Sequence, residues 1–205
     1  MAKKTLRGGA LLAPLPPTMV SCGDMENSNI ITIGWTGILN TIPPKTYISV
    51  RPTRHSYEII KEKGEFVINL TPSSLVKEAD YCGIYTGKKI NKFEKCKLTK
   101  IKGTQVDCPM IEECPVNIEC RVTDVISLGS HDMFMADILA VNVDEELFDK
   151  DDKMRLDKAN LVCYAHGEYF ELGKRIGKFG FSTNKKKKKK PQNPKKENKN
   201  DRKQG

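Results

Sequence analysis

An arginine-rich turn and a nearby tryptophan combine the residue types that could hold a ligand. Four residues with phosphate-binding donors lie in one short stretch: Arg51, Thr53, Arg54 and Ser56. Guanidinium and hydroxyl groups suit the oxygens of a phosphate. Upstream, Trp35 offers a large flat ring, and Gly37 lets the backbone approach a ligand closely. These residues predict a site for a planar aromatic phosphate ester.

Two apolar runs would position these residues. Residues 29–39 are rich in β-branched side chains and predict one strand, and residues 47–50 predict a second. Pro43 and Pro44 lie in the turn between them. The second strand must stop before Pro52, because proline cannot donate to a β-ladder. The tryptophan and the arginine-rich turn are therefore expected at adjacent strand ends.

Two long blocks of sequence resemble one family. The first reads Trp-Thr-Gly at residues 35–37 and Ser-Val-Arg-Pro-Thr-Arg-His-Ser at residues 49–56, with Pro-Pro between them. It is similar to the flavoredoxin-type branch of the FMN-binding, flavin reductase-like split-barrel family. The second block, residues 80–93, resembles that branch's Asp-Tyr-Cys-Gly pattern, with Thr86 where serine is common and Asn91 where aspartate is common.

Two shorter blocks extend the resemblance, so that the four together span about residues 10–182. Residues 129–135 look like the family's Gly-x-His strand, and residues 167–173 resemble its Gly-x-Tyr-x-x-Leu-Gly motif. The resemblance implies a mainly β fold, an antiparallel FMN-binding split barrel of Greek-key type with a few helices. It implies a flavin reductase-like FMN-binding domain over residues 1–184. It also implies a homodimer with the flavin near the subunit interface.

The resemblance carries over to individual residues of the cofactor site. It implies a cofactor-binding set made of Trp35, Thr36, Gly37, Arg51, Thr53, Ser56, Cys82, Gly83, Thr86, Lys88 and Lys92. His131 resembles the family histidine near the flavin face that the nicotinamide approaches, which implies a role in orienting the electron donor. No metal site is expected. The choice of FMN over FAD rests on the family branch alone, because both carry the same ring and one phosphate in common.

Each of these residues also has a structural interpretation. The Arg51 turn could be a solvated strand-to-helix connection, with Thr53 or Ser56 capping the helix. Trp35 could be a core residue, since aromatic residues in strands usually are. Cys82 could be a small packing residue, or a thiol whose pKa is lowered by a neighbouring lysine. These alternatives remain open from the sequence.

The implied activity is hydride transfer from NADH or NADPH to N5 of the flavin. Reduced flavin would then leave for a partner monooxygenase, or stay bound and pass electrons to a redox protein. Tight anchoring of the phosphate favours the second behaviour, since charge-assisted bonds slow dissociation. An alternative from another class is an FMN-binding electron carrier without NAD(P)H oxidation activity of its own. The sequence does not distinguish NADH from NADPH.

The net charge of +9 resides in the C-terminal tail. Residues 185–205 carry 11 of the 35 basic residues and 2 of the 26 acidic ones, which leaves 24 of each in the remainder. Bulk charge therefore gives no support for a nucleic-acid groove on the folded part. The Lys-rich tail has no apolar residue to bury and is expected to be disordered. It is either a solvated tail or a binding segment for nucleic acid, anionic lipid or an acidic partner.

Local patterns predict a β-rich core with few helices. Helices are expected over residues 56–63, ending at Gly64, and over residues 73–81 running toward Cys82. Strands are expected over residues 65–70, 116–127, 133–143 and 161–165. Residues 116–127 alternate, which predicts an apolar inner face and a solvated outer face. No βαβ unit with a G-x-G-x-x-G turn is present, so the pattern does not favour a Rossmann domain.

Cysteine usage and hydropathy indicate a protein of the cytosol. Seven cysteines without an export signal are expected to be reduced, and their spacing matches no zinc or iron–sulfur pattern. Cys114 and Cys120 are expected to face one side of a strand as core residues. Residues 11–20 are apolar but broken by prolines, which predicts an entry strand rather than a signal peptide. No segment reaches the length of a membrane span.

Overall fold

Alternating β-branched residues fold into one large antiparallel sheet. In the computed structural model, which describes residues 1–183, the strands are β1 (Thr18–Gly23), β2 (Ser28–Ile33), β3 (Thr36–Thr41), β4 (Pro44–Val50), β5 (Glu65–Asn69), β6 (Lys100–Ile101), β7 (Met110–Ile111), β8 (Val116–Ser127), β9 (Asp132–Val143), β10 (Val162–Ala165) and β11 (Glu168–Glu171). Seven of them form a sheet in the order β2-β1-β5-β8-β9-β4-β3, with every pairing antiparallel. The mainly β, antiparallel prediction is confirmed.

Three α-helices and four short 3-10 turns complete the described chain. The helices are α1 (His55–Lys63), α2 (Val76–Ile84) and α3 (Lys92–Cys96), and the turns are Ser73–Leu75, Glu145–Leu147, Leu156–Lys158 and Phe181–Thr183. Helix α1 ends as predicted at Gly64, whose φ of 67° is in the left-handed region. Helix α2 runs further than predicted and includes Cys82 and Gly83. A final strand, β11, follows the predicted β10.

The chain divides into two units, Met1–Gly173 and a second that begins at Lys174. The first contains the whole sheet and all three helices. The described part of the second ends with the turn Phe181–Thr183. The expected Lys-rich tail from residue 185 lies outside the described residues, and the domain boundary at residue 184 stays a prediction. Across residues 1–183 there is no helix whose length and hydropathy would let it cross a membrane.

The prediction of one strand over residues 29–39 is wrong. The run is interrupted at Gly34 and Trp35, and it forms β2 and β3 instead. These two strands lie at opposite edges of the seven-stranded sheet. The backbone N–H of Ser49 in β4 donates to the Trp35 carbonyl at 2.9 Å, next to the interruption. The sheet must curl to let so short a connection join its two edges.

Two apolar clusters pack on opposite faces of this sheet. One includes Val20, Ile48, Phe66, Cys120 and Phe134, together with Tyr57 and Ile60 of α1. The other lies under α2 and α3 and includes Met19, Ile30, Ala79, Cys82, Phe93 and Cys114. Consecutive residues of β1 enter different clusters because side chains alternate along a strand. Cys114 and Cys120 do not share a face as predicted, because Cys114 lies in the turn before β8.

The outer face of β8 is solvated only in its second half. Asn117 and Glu119 were expected on a solvated face, but both are buried. The connection between β6 and β7 covers Glu119, whose carboxylate accepts from the backbone N–H groups of Thr104, Gln105 and Val106 at 3.0, 2.6 and 2.9 Å. Burial raises the pKa of Glu119, but these bonds and others outweigh it and hold the pKa below 4.5.

We predict that Glu119→Gln destabilises the fold. The carboxylate of Glu119 accepts hydrogen bonds at both oxygens, whereas the amide of glutamine would place its NH₂ group against some of the same N–H donors. The lost hydrogen bonds cost about 2–3 kcal/mol in unfolding free energy. Glu113→Gln is the matched control, because Glu113 also accepts from a backbone N–H, that of Thr99 at 2.9 Å, but is exposed. Chemical denaturation of both variants measures the difference. Equal stability of the two variants would contradict the assigned role.

The same contact predicts a pH dependence. The folded pKa of Glu119 lies below its ordinary value of 4.5. Its contribution is therefore present above pH 4.5 and is lost as the pH falls through the folded pKa. The unfolding free energy of the wild type should decline more steeply on acidification below pH 4.5 than that of Glu119→Gln. Parallel curves would show that the carboxylate is not the titrating contact.

Candidate functional site

Two adjoining cavities open where β2, β4, α1 and α2 meet. The smaller, here called the anion cavity, has a volume of about 190 Å³, and the larger, here called the wide cavity, has about 460 Å³. Ile31, Arg51 and Arg54 line both cavities. The two are therefore neighbouring compartments of one cleft, with arginines at their shared wall.

The anion cavity is built on the start of α1. Arg51 directly follows β4, and Arg54 is the residue before the first turn of α1. No side chain of the described residues caps this helix start. The Tyr57 N–H donates to the Arg54 carbonyl at 3.0 Å, so the α1 N–H groups before it and the positive end of the helix dipole are the ones available to an anion. The alternative that Thr53 or Ser56 caps α1 is not what the structure shows.

Lys92 supplies a buried positive charge to the same cavity. Its ammonium group donates to the carbonyls of Ile30 and Cys82, both at 2.7 Å, and the residue is 3% exposed. Burial lowers the pKa of Lys92, and the charge of Arg54 lowers it further. Lys92 was expected on a loop, but it is the first residue of α3. An ammonium carries three donors, so one remains beyond the two carbonyls.

Asn29 and Gly87 complete the anion cavity, and sequence reasoning did not single them out. Asn29 donates to the Ser56 hydroxyl at 2.8 Å, and that hydroxyl also contacts the buried Cys22 thiol. Gly87 lies against Asn29 so closely that an added Cβ would stand 2.2 Å from its Oδ1. The only sequence signal for Asn29 was its position at the start of the strand-like run. Gly87 lay unremarked inside the second block.

The wide cavity is lined by aromatic and small residues. Trp35, at the interruption between β2 and β3, is 39% exposed, so it is not a core residue. Gly83 of α2 packs against Thr32 of β2, and His131 stands on the approach to β9. Burial lowers the pKa of His131, and the charges of Arg51 and Arg54 add to this effect. The neutral imidazole is therefore the dominant form at pH 7.

The C-terminal hairpin closes one side of the wide cavity. Tyr169 of β11 donates to Asp80 of α2 at 3.1 Å, and its ring packs edge-on against Tyr164 of β10 with centroids 5.4 Å apart. All three residues line the cavity. This contact joins the second and fourth sequence blocks. The motif letters Asp80 and Tyr169 were visible in the sequence, but their pairing was not.

Most of the predicted cofactor-binding residues line one of the two cavities. The anion cavity brings together Arg51, Thr53, Ser56, Cys82, Thr86 and Lys92. The wide cavity brings together Trp35, Arg51, Gly83 and His131.

Three predicted residues line neither cavity. The Thr36 hydroxyl donates to the Tyr47 carbonyl at 2.6 Å, and Gly37 faces the Tyr47 ring, so both serve the β3–β4 pairing. The third residue, Lys88, borders a separate groove.

Cys82 is a packing residue with an unreactive thiol. It is fully buried, and burial raises its pKa to about 12 despite the charge of Lys92. The alternative of a thiolate activated by a neighbouring lysine is therefore wrong, because desolvation outweighs the attraction. Its Sγ lies 3.9 Å from that of Cys96, and the described cysteines are all free. Its contribution to the site is the backbone carbonyl that holds Lys92.

Residues 11–173 match the family described as flavin reductase like domain. The chain belongs to this family. An uncharacterized protein of Archaeoglobus fulgidus is 35% identical over 130 residues, which cover 63% of this chain and 73% of that protein. All four sequence blocks that resembled the family lie within the matched range.

Solved structures of two flavoredoxins are similar to most of the chain. The flavoredoxin of Desulfovibrio vulgaris (Miyazaki F) has a TM-score of 0.83 and 32% identity, covering 89% of this chain and all of that one. The flavoredoxin of Methanosarcina acetivorans has a TM-score of 0.80 and 26% identity, covering 89% of this chain and 98% of the other. The predicted split-barrel fold is confirmed. Family and fold together support a flavin-binding redox protein.

We predict that Gly87→Ala disrupts the anion cavity. The new Cβ must displace the Asn29 side chain and with it the bond to Ser56, at a cost of about 1–3 kcal/mol in unfolding free energy. Gly173→Ala is the control, because an added Cβ meets nothing within 4 Å there. Thermal denaturation of both variants tests this. A Gly87→Ala variant as stable as the control would mean that the loop moves freely away from Asn29.

Proposed function

We propose that the protein binds FMN across the two cavities and reduces it with NADH or NADPH. The phosphate would occupy the anion cavity and the isoalloxazine ring the wide cavity beside Trp35. The observation that carries the proposal is Lys92, a buried cation on the wall of a cavity lined by two arginines.

A buried ammonium needs a negative partner. Burying a charge is costly unless it is paired as well as hydrogen-bonded. Both hydrogen-bond partners of Lys92 are neutral carbonyls, and no carboxylate of residues 1–183 lies within ion-pair distance of it. A phosphate would accept a hydrogen bond from the third N–H of the Lys92 ammonium group, and its negative charge would offset the cost of desolvating that group. The donor set of Arg51, Ser56 and Lys92 therefore fits a phosphate monoester.

The wide cavity fits a flat ring in the adjoining compartment. Its wall includes the partly exposed Trp35 side chain and the small residues Gly34 and Gly83, which leave room for a planar group. The shared wall of Arg51 and Arg54 lies between the two compartments. A ligand with a ring at one end and a phosphate at the other would reach both compartments. FMN has this form.

The chain's residues would bind and orient, while the flavin supplies the redox chemistry by accepting a hydride from the nicotinamide. Neutral His131 lines the ring compartment, and its Nδ1 lies 3.0 Å from the Ser130 hydroxyl. That contact occupies Nδ1 and leaves Nε2 as a polar group for the donor. We infer that His131 positions the nicotinamide rather than transferring a proton.

We further propose that the protein keeps its flavin bound and works as a homodimer in the cytosol. Arg51, the α1 start and Lys92 anchor the phosphate by charge-assisted bonds, which supports a bound, flavoredoxin-like cofactor over release to a monooxygenase. Bound flavin would then pass electrons to a redox partner. The same cavities also serve the second candidate, an FMN-binding electron carrier that another protein reduces.

We predict that Arg51→Ala weakens FMN binding about ten- to hundredfold, because one charge-assisted bond to phosphate contributes about 1.5–3 kcal/mol. Riboflavin, which lacks the phosphate, should bind the variant within about threefold of its affinity for the wild type. Arg175→Ala, at an exposed position of the second unit, is the matched control. Titration calorimetry with both ligands gives the FMN-to-riboflavin ratio. An unchanged ratio would remove Arg51 from the phosphate site.

We predict that purified protein shows flavin bands that bleach on anaerobic addition of NADH or NADPH. Bleaching with one donor would establish a reductase and its preference together. Bands that persist with both donors would support the electron carrier instead. Protein that is colourless and cannot be reconstituted with FMN would overturn the assignment of Trp35, Arg51 and Lys92.

A further inference from the structure

Positive charge is concentrated in one segment beside the cleft. Residues 85–102, here called the basic segment, contain seven lysines and one acidic residue, Glu94, a net charge of +6. Residues 1–184 contain 24 basic and 24 acidic residues, so the rest of them have 17 basic and 23 acidic ones, a net charge of −6. The basic segment runs from the end of α2 through α3 to the end of β6. The near-neutral total therefore results from two opposite charges at different places in the chain.

Most lysines of the basic segment face solvent without a counterion. Among residues 1–183, no lysine of this segment forms an ion pair. Glu26 and Glu62 border the same groove as two of these lysines, but they lie beyond ion-pair distance. Lys92 is buried, and Lys100 donates to the Met25 carbonyl at 3.0 Å. The other five are exposed: Lys88, Lys89, Lys95, Lys97 and Lys102.

Two exposed apolar side chains connect the basic segment to the cleft. Ile84, the last residue of α2, lines the wide cavity and is 63% exposed. Tyr85, the first residue of the segment, lines the anion cavity, and its ring stacks on that of Tyr81 with centroids 4.3 Å apart. Apolar and aromatic groups beside a charged, solvent-accessible rim are typical of an interface between proteins. The end of α2 therefore offers contact surface at the opening of both cavities.

We infer that Ile84, Tyr85 and the exposed lysines of the basic segment form a docking surface for the acidic face of a one-electron carrier protein. The inference rests on the proposed function, because it supplies the protein that exchanges electrons with the bound flavin. Two encounters with reduced carrier, each giving one electron, together with one proton from water, would deliver the equivalent of one hydride to the flavin.

Two features favour a small acidic protein over a nucleic acid or an anionic membrane. The net charge of −6 on the rest of residues 1–184 would repel a polyanion that extends beyond the basic segment. The segment also begins at the cleft, so a carrier docked on it would bring its redox centre toward the wide cavity. Complementary charge mainly raises the association rate, which suits a carrier that must bind and leave quickly.

The test is electron transfer from an acidic plant-type [2Fe–2S] ferredoxin to the full-length, FMN-loaded protein. Stopped-flow spectroscopy gives the second-order rate constant for bleaching of the flavin bands by reduced ferredoxin. At low ionic strength, the double variant Lys89→Glu, Lys95→Glu should lower this constant at least about tenfold, because electrostatic steering is lost. In about 1 M NaCl, where the screening length is about 3 Å, variant and wild type should agree.

Lys150→Glu, Lys153→Glu is the matched control, because it changes the net charge equally at two exposed positions that line neither cavity nor the groove. It should keep the low-salt rate of the wild type within about threefold. A second measurement uses cytochrome c, a basic carrier, to oxidise the reduced protein. The variant Lys89→Glu, Lys95→Glu should react faster than the wild type here, a gain that loss of folding cannot produce.

Equal low-salt rates with ferredoxin in this variant and the control would overturn the docking surface. So would an unchanged ferredoxin rate combined with lost affinity for duplex DNA or anionic vesicles, which would assign the basic segment to a polyanion. A wild type that binds no FMN would instead overturn the proposed function. Calorimetry of ferredoxin with flavin-free protein separates the two failures, because binding that weakens only in Lys89→Glu, Lys95→Glu supports the surface without any flavin.

Discussion

The buried ammonium group of Lys92 is the constraint on which the site depends. It ties α3 to β2 through the Ile30 carbonyl and to α2 through the Cys82 carbonyl. Those bonds fix the positions of three elements, but they leave the positive charge without a counterion among the described residues. The interaction that assembles this side of the core therefore also creates an electrostatic demand for an anion. Stability and binding are coupled at one side chain.

The curl of the sheet explains where the wide cavity lies. Gly34 and Trp35 carry the chain from β2 at one edge to β3 at the other, and both residues line the wide cavity. Strand pairing is interrupted at this connection between β2 and β3, so Trp35 is exposed where a regular strand would bury it. Closure of the sheet and exposure of the aromatic surface thus have the same cause.

Sequence patterns predicted those parts of the site that are contiguous in the chain. The turn from Arg51 to Ser56 was visible because its donors follow one another and a proline marks the strand end. The role of Lys92 and the burial of Glu119 were not visible, because each depends on a segment that is distant in the sequence. Lys92 is held by the end of α2 at Cys82, and Glu119 is covered by the connection that contains Thr104. Alternation shows which residues share a face, but not what covers that face.

The residues that line the wide cavity come from nearly the whole first unit, from Pro17 to Tyr169. During synthesis from the N-terminus, Trp35 and the Arg51 turn emerge early, but Tyr164 and Tyr169 emerge only after most of the first unit has been made. The compartment is consequently incomplete until the C-terminal hairpin has left the ribosome and Tyr169 has met Asp80. The wide cavity is therefore a product of the completed first unit rather than of any one contiguous stretch of it.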